Sequence, residues 1–279
     1  MTTAPRAQAQ GLPPSIKTAD LKKHGVSILL EGPEKSGKTH FWCSMPGPIV
    51  AAYTDPNRAT PEGFMADGRE IELIPIRDWK TYQNHFIPAV MNRKLEARTI
   101  VVDSYTYFGD KLPMEMAGGD GKVAIHTWGR IKELHWSAMM DLVNATGPGP
   151  NGEPGYNIVV TCHLMDIQDD NGSLIKVRPQ ITGGFRDAIG KQFDSVFIAA
   201  SEAVNEVKDG RRQLVGKRHF LWTIPPDRYH SCGDGIGGKG GRKELPPQVE
   251  NTWQAVCRGW GVDPDTMGAP PRTAVTQQA

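Results

Sequence analysis

The chain has 279 residues, of which 38% are hydrophobic and 23% are charged, and its formal net charge is +1 at pH 7. This length predicts one large domain with a substantial buried core. The near-neutral charge excludes a polycation, so any contact with nucleic acid must come from local patches.

The two ends of the chain are predicted to be flexible tails. Residues 1–18 and 264–279 are rich in Pro, Ala, Gln and Thr, and such segments bury too little apolar surface to fold. One folded domain is therefore expected over residues 19–263.

Apolar runs alternate with helical stretches between these tails. Several of the runs are continuously apolar, which is typical of strands in a parallel sheet covered on both faces. Strands are predicted at 26–30, 49–53, 72–76, 99–102, 157–162, 195–199 and 219–223, and helices at 38–45, 79–92, 128–145 and 246–261. This alternation predicts an α/β fold with a mainly parallel, twisted sheet and helices on both faces.

A glycine-rich loop joins the first predicted strand to the first predicted helix. Residues 32–39 (GPEKSGKT) match the phosphate-loop pattern G-x-x-x-x-G-K-[ST]. In such a loop, backbone N–H groups and the helix N-terminus face phosphate oxygens. Lys38 is expected to contact the β- and γ-phosphates, and the Thr39 hydroxyl to bind Mg²⁺. The residues predicted to contact ATP are Gly32, Pro33, Glu34, Lys35, Ser36, Gly37, Lys38, Thr39 and His40.

Three polar residues follow later strands. Asp103 ends the apolar run TIVVD and is predicted to hold Mg²⁺ through water. Asp55 follows the strand at 49–53 and is a candidate general base, although TDPN is also a typical turn. His163 ends the strand at 157–162 and is a candidate sensor of the γ-phosphate. We interpret the remaining histidines, including His135 and His219, as packing or solvated residues.

Two predicted loops contain basic residues. The first covers 105–122, and the second covers 165–191, where Phe185 lies beside Arg186. Positive charge with an aromatic ring suits single-stranded DNA, whereas DDNG at 169–172 favours an ordinary solvated hairpin. Both interpretations remain open. The candidate DNA contacts are Lys122, Lys176, Arg178, Arg186 and Lys191.

The chain contains, in this order, GPEKSGKT, TIVVDS, WGRI, NIVVTCH and a basic segment before LPPQV. With these motifs in this order, the chain resembles phage-encoded RecA-like ATPases over about residues 17–261. The resemblance implies a RecA-like P-loop NTPase core, ATP and Mg²⁺ binding, single-stranded DNA binding, and assembly into a ring or filament. It also implies that His163 replaces the glutamine-like sensor of that family.

The same resemblance implies a basic residue that reaches into a neighbouring subunit's ATP site. Lys239, Arg242 and Lys243 match its place, beside the glycine-rich segment 233–241, which we predict to be too flexible for a strand.

The leading hypothesis is a DNA-dependent ATPase that promotes annealing or recombination in phage DNA metabolism, with a single-strand binding protein as a possible partner. A helicase-like or loader-like motor of the same fold is one alternative. A small-molecule kinase is another, although the loop 147–155 lacks the arginines of a typical kinase lid. A nucleotide-gated binding module without turnover is the third.

Four cysteines without a C-x-x-C pair indicate neither a zinc site nor a disulfide framework. No apolar run approaches the ~20 residues that span a bilayer, and no signal peptide is visible. A cytoplasmic location in the host cell, away from membranes, is therefore expected.

Overall fold

The computed structural model describes residues 24–267 except 118–120, 182, 209–210, 228, 230–231 and 240. The predicted tail 1–18 and residues 268–279 of the second tail lie outside the described residues. Residues 264–267, which the sequence assigns to that tail, pack on the domain. The indole Nε1 of Trp253 donates to the carbonyl oxygen of Pro264 at 3.2 Å, and Met267 is buried.

A nine-stranded sheet forms the centre of the fold. The strands are β1 (Ser27–Glu31), β2 (Ile49–Tyr53), β3 (Ile71–Pro75), β4 (Thr99–Asp103), β5 (Asn157–Cys162), β6 (Leu164–Gln168), β7 (Leu174–Pro179), β8 (Ser195–Lys208), β9 (Arg211–Trp222), β10 (Gly233–Asp234) and β11 (Gln248–Glu250). Their order is β11-β9-β8-β1-β5-β4-β2-β3, with β10 paired to β8, while β6 and β7 form a separate hairpin. The six strands from β3 to β8 in this order are parallel, and β9, β10 and β11 are antiparallel to their neighbours.

Helices cover both faces of this sheet, as predicted. They are α1 (Lys38–Cys43), α2 (Ala59–Ala66), α3 (Trp79–Thr81), α4 (Ile87–Met91), α5 (Tyr105–Glu115), α6 (Thr127–Asn144) and α7 (Trp253–Trp260), and a π-helical turn (Tyr82–Phe86) joins α3 to α4. Side chains alternate between the faces along each strand. Leu29 therefore packs with α3 to α6, whereas Leu30 packs with α1 and α7 on the opposite face.

Most predicted elements are confirmed within one or two residues, and β2 and β5 have the predicted bounds. The strands predicted at 195–199 and 219–223 are the inner parts of the longer β8 and β9. Their outer parts, including residues 201–206 and 213–218, form an exposed two-stranded arm beyond the sheet. Within the described ranges, no helix is both long and apolar enough to cross a membrane.

Two predictions for the C-terminal half of the chain are wrong. The predicted helix at 246–261 begins only at Trp253, because residues 248–250 pair with β9 as β11. The glycine-rich segment does contain a strand, β10, because its backbone pairs with Ser195 and Val196 of β8. The loop predicted at 165–191 contains the hairpin β6–β7, which confirms the alternative of an ordinary hairpin at the DDNG turn.

The loop predicted at 105–122 is also wrong, because residues 105–115 form helix α5. Gly109 and Pro113 obscure this helix in the sequence, since both residues disfavour a helix interior. Tyr105, Phe108 and Leu112 nevertheless lie on one helical face and are buried in the core. Tertiary packing therefore outweighs local propensity here.

Candidate functional site

A polar cavity of about 780 Å³ opens at the carboxyl ends of the parallel strands. Its walls come from the segments that follow β1, β2, β4 and β5, which meet at the same edge of the sheet. They include Lys38, Asp55, Asp103 and His163, so the four residues predicted as catalytic all line one cavity. The sheet order places β5 between β1 and β4 and therefore places His163 between the phosphate loop and Asp103.

The phosphate loop has a backbone shape that depends on glycine. Lys35 and Gly37 have positive φ angles of 59° and 96°. A Cβ atom at Gly32 would lie 2.5 Å from the carbonyl oxygen of Ala199, so no larger residue fits there without a shift. The backbone N–H groups of Gly37 and Lys38 donate to no acceptor among the described residues. These N–H groups at a helix N-terminus suit an anion.

Lys38 is buried with its ammonium group folded across this loop. Its Nζ donates to the carbonyl oxygens of Gly32 at 2.7 Å and Pro33 at 2.8 Å. Burial lowers the pKa of Lys38 to about 8, although the Asp103 carboxylate acts in the opposite direction. A phosphate group close to Nζ would favour the charged form and raise this pKa.

Asp103 is held by three side-chain donors, two from α1 and one from β5. Its Oδ2 accepts from Thr39 Oγ1 at 3.0 Å and from Trp42 Nε1 at 2.7 Å, and its Oδ1 accepts from Thr161 Oγ1 at 2.6 Å. These bonds fix the carboxylate beside the first turn of α1. Trp42 and Thr161 were not singled out from the sequence. Trp42 follows Thr39 by three positions, a helical spacing that places both on one face of α1.

His163 lies beside Lys38, as its predicted sensor role requires. The distance between His163 Nδ1 and Lys38 Nζ is 3.4 Å, and the backbone N–H of His163 donates to Thr106 Oγ1 at 2.8 Å. Burial lowers the pKa of His163, and the nearby charge of Lys38 lowers it further. A neutral imidazole is therefore favoured near pH 7. The sensor role itself stays a prediction.

Asp55 is exposed and takes part in a turn. Its Oδ1 accepts from the backbone N–H of Asn57 at 2.8 Å, the turn geometry that TDPN suggests. The carboxylate also belongs to the cavity wall opposite the phosphate loop. Asp55 therefore retains access to the cavity, and its role as general base stays a prediction.

Two residues that the sequence did not assign to the site contact the phosphate loop, and one of them, His219, also lines the cavity. His219 Nδ1 lies 3.1 Å from the carbonyl oxygen of Ser36, and Asn251 Nδ2 donates to the carbonyl oxygen of Gly37 at 2.8 Å. The interpretation of His219 as a packing or solvated residue is therefore wrong. His135, in contrast, is buried against Trp79 and bonds the Tyr105 hydroxyl, which confirms a packing role.

The predicted DNA contacts do not form one open patch. Phe185 is fully buried against His135 and Tyr105, so the proposed stacking of its ring on a base is wrong. Arg178 pairs with Asp187 at 3.4 Å, which offsets its charge. Arg186 is half-buried, and its Nε has no hydrogen-bond partner among the described residues. Lys122 and Lys191 are exposed and Lys176 is half-buried.

The predicted intersubunit residues lie away from their own phosphate loop. The segment that carries Lys239, Arg242 and Lys243 follows β10, which pairs with the first two residues of β8, at the edge where the parallel strands begin. The backbone N–H of Lys243 donates to the carbonyl oxygen of Trp260 at 2.8 Å, at the end of α7. The cavity lies at the other edge, so a role in the same chain's site is not favoured.

The oxygen ligands for a magnesium ion are close together. Thr39 Oγ1 and Asp103 Oδ2 are 3.0 Å apart, and hard cations such as Mg²⁺ prefer oxygen ligands. Among the described residues there is no group of three or more His, Cys, Asp or Glu side chains that would hold a metal. This donor set fits Mg²⁺, which is commonly bound by one or two carboxylates together with substrate phosphates and waters.

A family model described as an AAA domain matches residues 24–231, roughly three quarters of the chain. The chain therefore belongs to the AAA domain family and is a P-loop, nucleotide-binding ATPase of AAA type. No curated protein matches the chain. The family agrees with the predicted phosphate loop and with the α/β fold, and the match ends before β11 and α7.

Proposed function

We propose that this protein is a magnesium-dependent ATPase with a RecA-like core, that single-stranded DNA stimulates its turnover, and that it promotes annealing or recombination of DNA strands in phage DNA metabolism. The observation that carries the ATPase proposal is the convergence of Lys38, Thr39 and Asp103 at one edge of the sheet. Residues at these positions match the parts that position a triphosphate for phosphoryl transfer.

Different groups of the chain would bind the phosphates and the magnesium ion within the cavity. The N–H groups of Gly37 and Lys38 and the Lys38 ammonium would bind phosphate oxygens, while Thr39 and Asp103 would hold Mg²⁺. A bound magnesium ion neutralises charge that develops on the phosphates. His163 Nδ1, 3.4 Å from Lys38 Nζ, would respond to the γ-phosphate through Lys38.

Asp55 is the proposed base that accepts a proton from the attacking water. The Asp55→Asn variant should lower turnover about 100-fold and leave ATP affinity within twofold, because general base catalysis acts on the chemical step. Steady-state hydrolysis and equilibrium binding of ATP test this, with the exposed Asp67→Asn variant as control. If the turnover of Asp55→Asn were unchanged, Asp55 would not be the general base and would have only its structural role in the turn with Asn57.

Support for a DNA effector comes from the exposed arm and the exposed lysines. The exposed residues 213–218 of the arm read QLVGKR, with two basic residues and no acidic one. Glu202 offsets part of this charge, since its Oε1 lies 2.9 Å from Arg218 Nε. Lys217 is exposed on the side of β9 that carries His219. Positive charge along an extended surface suits the phosphates of a single strand.

ATP hydrolysis with and without single-stranded DNA tests the whole proposal, with Lys38→Ala as the inactive control. The proposal expects turnover that depends on Lys38 and rises at least several-fold with single-stranded DNA. If single-stranded DNA did not change ATP turnover, the recombination proposal would be contradicted. Strand separation would instead indicate a motor, phosphate transfer to a small molecule would indicate a kinase, and binding without hydrolysis would indicate a nucleotide-gated module.

We also propose that copies of the chain assemble into a ring or filament in which Lys239, Arg242 or Lys243 reaches a neighbour's site. A mixing experiment tests this with two inactive proteins, Lys38→Ala and a variant with all three basic residues changed to Ala. If the basic residues act on a neighbour, the mixture should recover part of the ATPase activity. No recovery from an assembled mixture would contradict the assignment.

A further inference from the structure

The phosphate loop is contacted by a segment beyond the matched domain. Residues 248–260, which contain β11 and α7 and which we name the C-terminal clamp, lie after residue 231, where the family match ends. The clamp is attached to the sheet edge through β9, because Val249 pairs with Leu221 and Glu250 pairs with Phe220. Asn251 follows directly and is buried beneath the phosphate loop.

The clamp contacts α1 at both ends. At the N-terminal end, Asn251 Nδ2 donates to the carbonyl oxygen of Gly37 at 2.8 Å. At the C-terminal end, the backbone N–H of Trp253 donates to Ser44 Oγ at 2.8 Å, and Gln254 Nε2 donates to the carbonyl oxygen of Ser44 at 3.2 Å. The helix that begins the phosphate-binding site is therefore fixed along its length by one later segment.

The contacts at the N-terminal end also set the direction of two amide groups. In a trans peptide unit the C=O of one residue and the N–H of the next point in opposite directions. His219 binds the carbonyl oxygen of Ser36, so the N–H of Gly37 points away from this contact. Asn251 binds the carbonyl oxygen of Gly37, so the N–H of Lys38 points away from Asn251. Neither of these N–H groups has an acceptor among the described residues.

The fit around Gly37 is close enough to make this orientation specific. A Cβ atom at Gly37 would lie 2.4 Å from Asn251 Nδ2 and 3.0 Å from His219 Nδ1. Both side chains therefore pack closely against the loop at Gly37, the residue with a positive φ angle. Fixing donors before a ligand binds reduces the ordering that binding requires, which increases affinity.

We infer that Asn251, together with His219, is a positioning residue that holds the N–H groups of Gly37 and Lys38 in the orientation that binds a nucleoside triphosphate. This inference rests on the proposed nucleotide site and adds the C-terminal clamp to it. Neither residue carries out the chemistry. Their removal lowers the affinity for nucleotide and leaves the turnover of the bound complex nearly unchanged.

Equilibrium binding of Mg·ATP and steady-state hydrolysis test the inference in Asn251→Ala and His219→Ala. The Asn251→Ala variant is suited to the test because Gly37 keeps a second donor, the N–H of Phe41 at 3.0 Å, and because Asn251 Oδ1 has no partner among the described residues. We expect each variant to weaken Mg·ATP binding about tenfold, as the loss of one orienting hydrogen bond implies. The turnover number at saturating ATP should stay within about threefold.

Gln248→Ala is the matched control, since Gln248 lies on β11, three residues before Asn251, and contacts Arg218 instead of the loop. It should bind Mg·ATP within twofold of the wild type. If Asn251→Ala and His219→Ala melt like the wild type and bind Mg·ATP as tightly, the inference is overturned. If the wild type itself binds no Mg·ATP, the proposed nucleotide site fails first, so the two failures can be told apart.

Discussion

The phosphate-loop cavity and the hairpin region, residues 164–193, hold their charged side chains in different ways. In the cavity, Lys38 and Asp103 are buried, and their charged groups bond to neighbours from several elements. In the hairpin region, Arg178 pairs with the exposed Asp187 at the surface and Lys191 reaches solvent. Buried charges are costly unless they are well paired. The difference indicates that buried and paired charged side chains organise the cavity, whereas buried aromatic side chains organise the hairpin region.

The largest effect is expected at the aromatic core of the hairpin region. Phe185 is fully buried, and its ring stacks on His135 with 5.4 Å between the ring centroids. Phe185→Ala should lower the free energy of unfolding by about 3–5 kcal/mol because it leaves a cavity. Thermal and urea denaturation measure this change. Lys191→Ala in the same region should stay within about 0.5 kcal/mol of the wild type. A Phe185→Ala protein of normal stability that had lost DNA binding would instead support a stacking role.

The next effect is expected in the cavity. Asp103→Asn keeps the side-chain shape but removes the charge, and its amide group would face the donors Thr39 and Trp42. We expect ATP turnover to fall about 100-fold, since loss of one electrostatic contact to the reacting group commonly has this effect. Steady-state hydrolysis at saturating Mg²⁺ measures it. Asp187→Asn, which changes a surface carboxylate, should stay within twofold. Equal activity of Asp103→Asn and the wild type would contradict the magnesium assignment.

A further effect, which depends on pH, concerns Glu31, the last residue of β1. Burial raises the pKa of Glu31 to about 8, so its carboxyl group is mostly neutral near pH 7. In the unfolded chain this pKa is close to 4.5. Because the pKa rises on folding, its contribution to stability is complete below pH 4.5 and is lost as pH rises towards and through 8. Glu31→Gln should therefore melt at a higher temperature than the wild type at pH 8.5, by roughly 10 °C.

The difference between Glu31→Gln and the wild type should disappear near pH 4.5. Glu72→Gln, an exposed glutamate on β3, is the control and should change the melting temperature little at either pH. A Glu31→Gln variant that is no more stable than the wild type at pH 8.5 would show that the carboxylate is stabilised by a partner. No hydrogen bond to this carboxylate is present among the described residues.

Local patterns in the sequence were sufficient to predict the phosphate loop. GPEKSGKT prescribes a backbone shape over eight residues, and continuous apolar runs mark the strands that carry Asp103 and His163. Strand ends in a parallel sheet meet at one edge, so the polar residues after them could be assigned to one cavity. Residues such as Asn251 could not be found in this way. Asn251 lies far along the chain from Gly37, and only the pairing of β11 with β9 brings the two together.

The hairpin region and α5 show that the composition of a short segment does not predict which of its side chains are buried. Phe185 beside Arg186 suggests an exposed ring and charge, but the ring is buried because α5 and α6 provide an aromatic surface for it. Exposure depends on tertiary packing, which a short segment does not encode. Likewise, Gly109 and Pro113 disfavour a helix locally, whereas the buried face of Tyr105, Phe108 and Leu112 stabilises α5.

Equilibrium binding of Mg·ATP to the wild type and to Lys38→Ala is the most direct test of the nucleotide site. Lys38 is the buried cation that bonds the phosphate loop, and both proteins must show the same far-UV spectrum and cooperative melting. The site described above predicts that Lys38→Ala binds Mg·ATP at least about 100-fold more weakly, as removal of a charged hydrogen bond to phosphate implies. A folded Lys38→Ala protein that binds Mg·ATP as tightly as the wild type would contradict the assignment of this cavity as the nucleotide site.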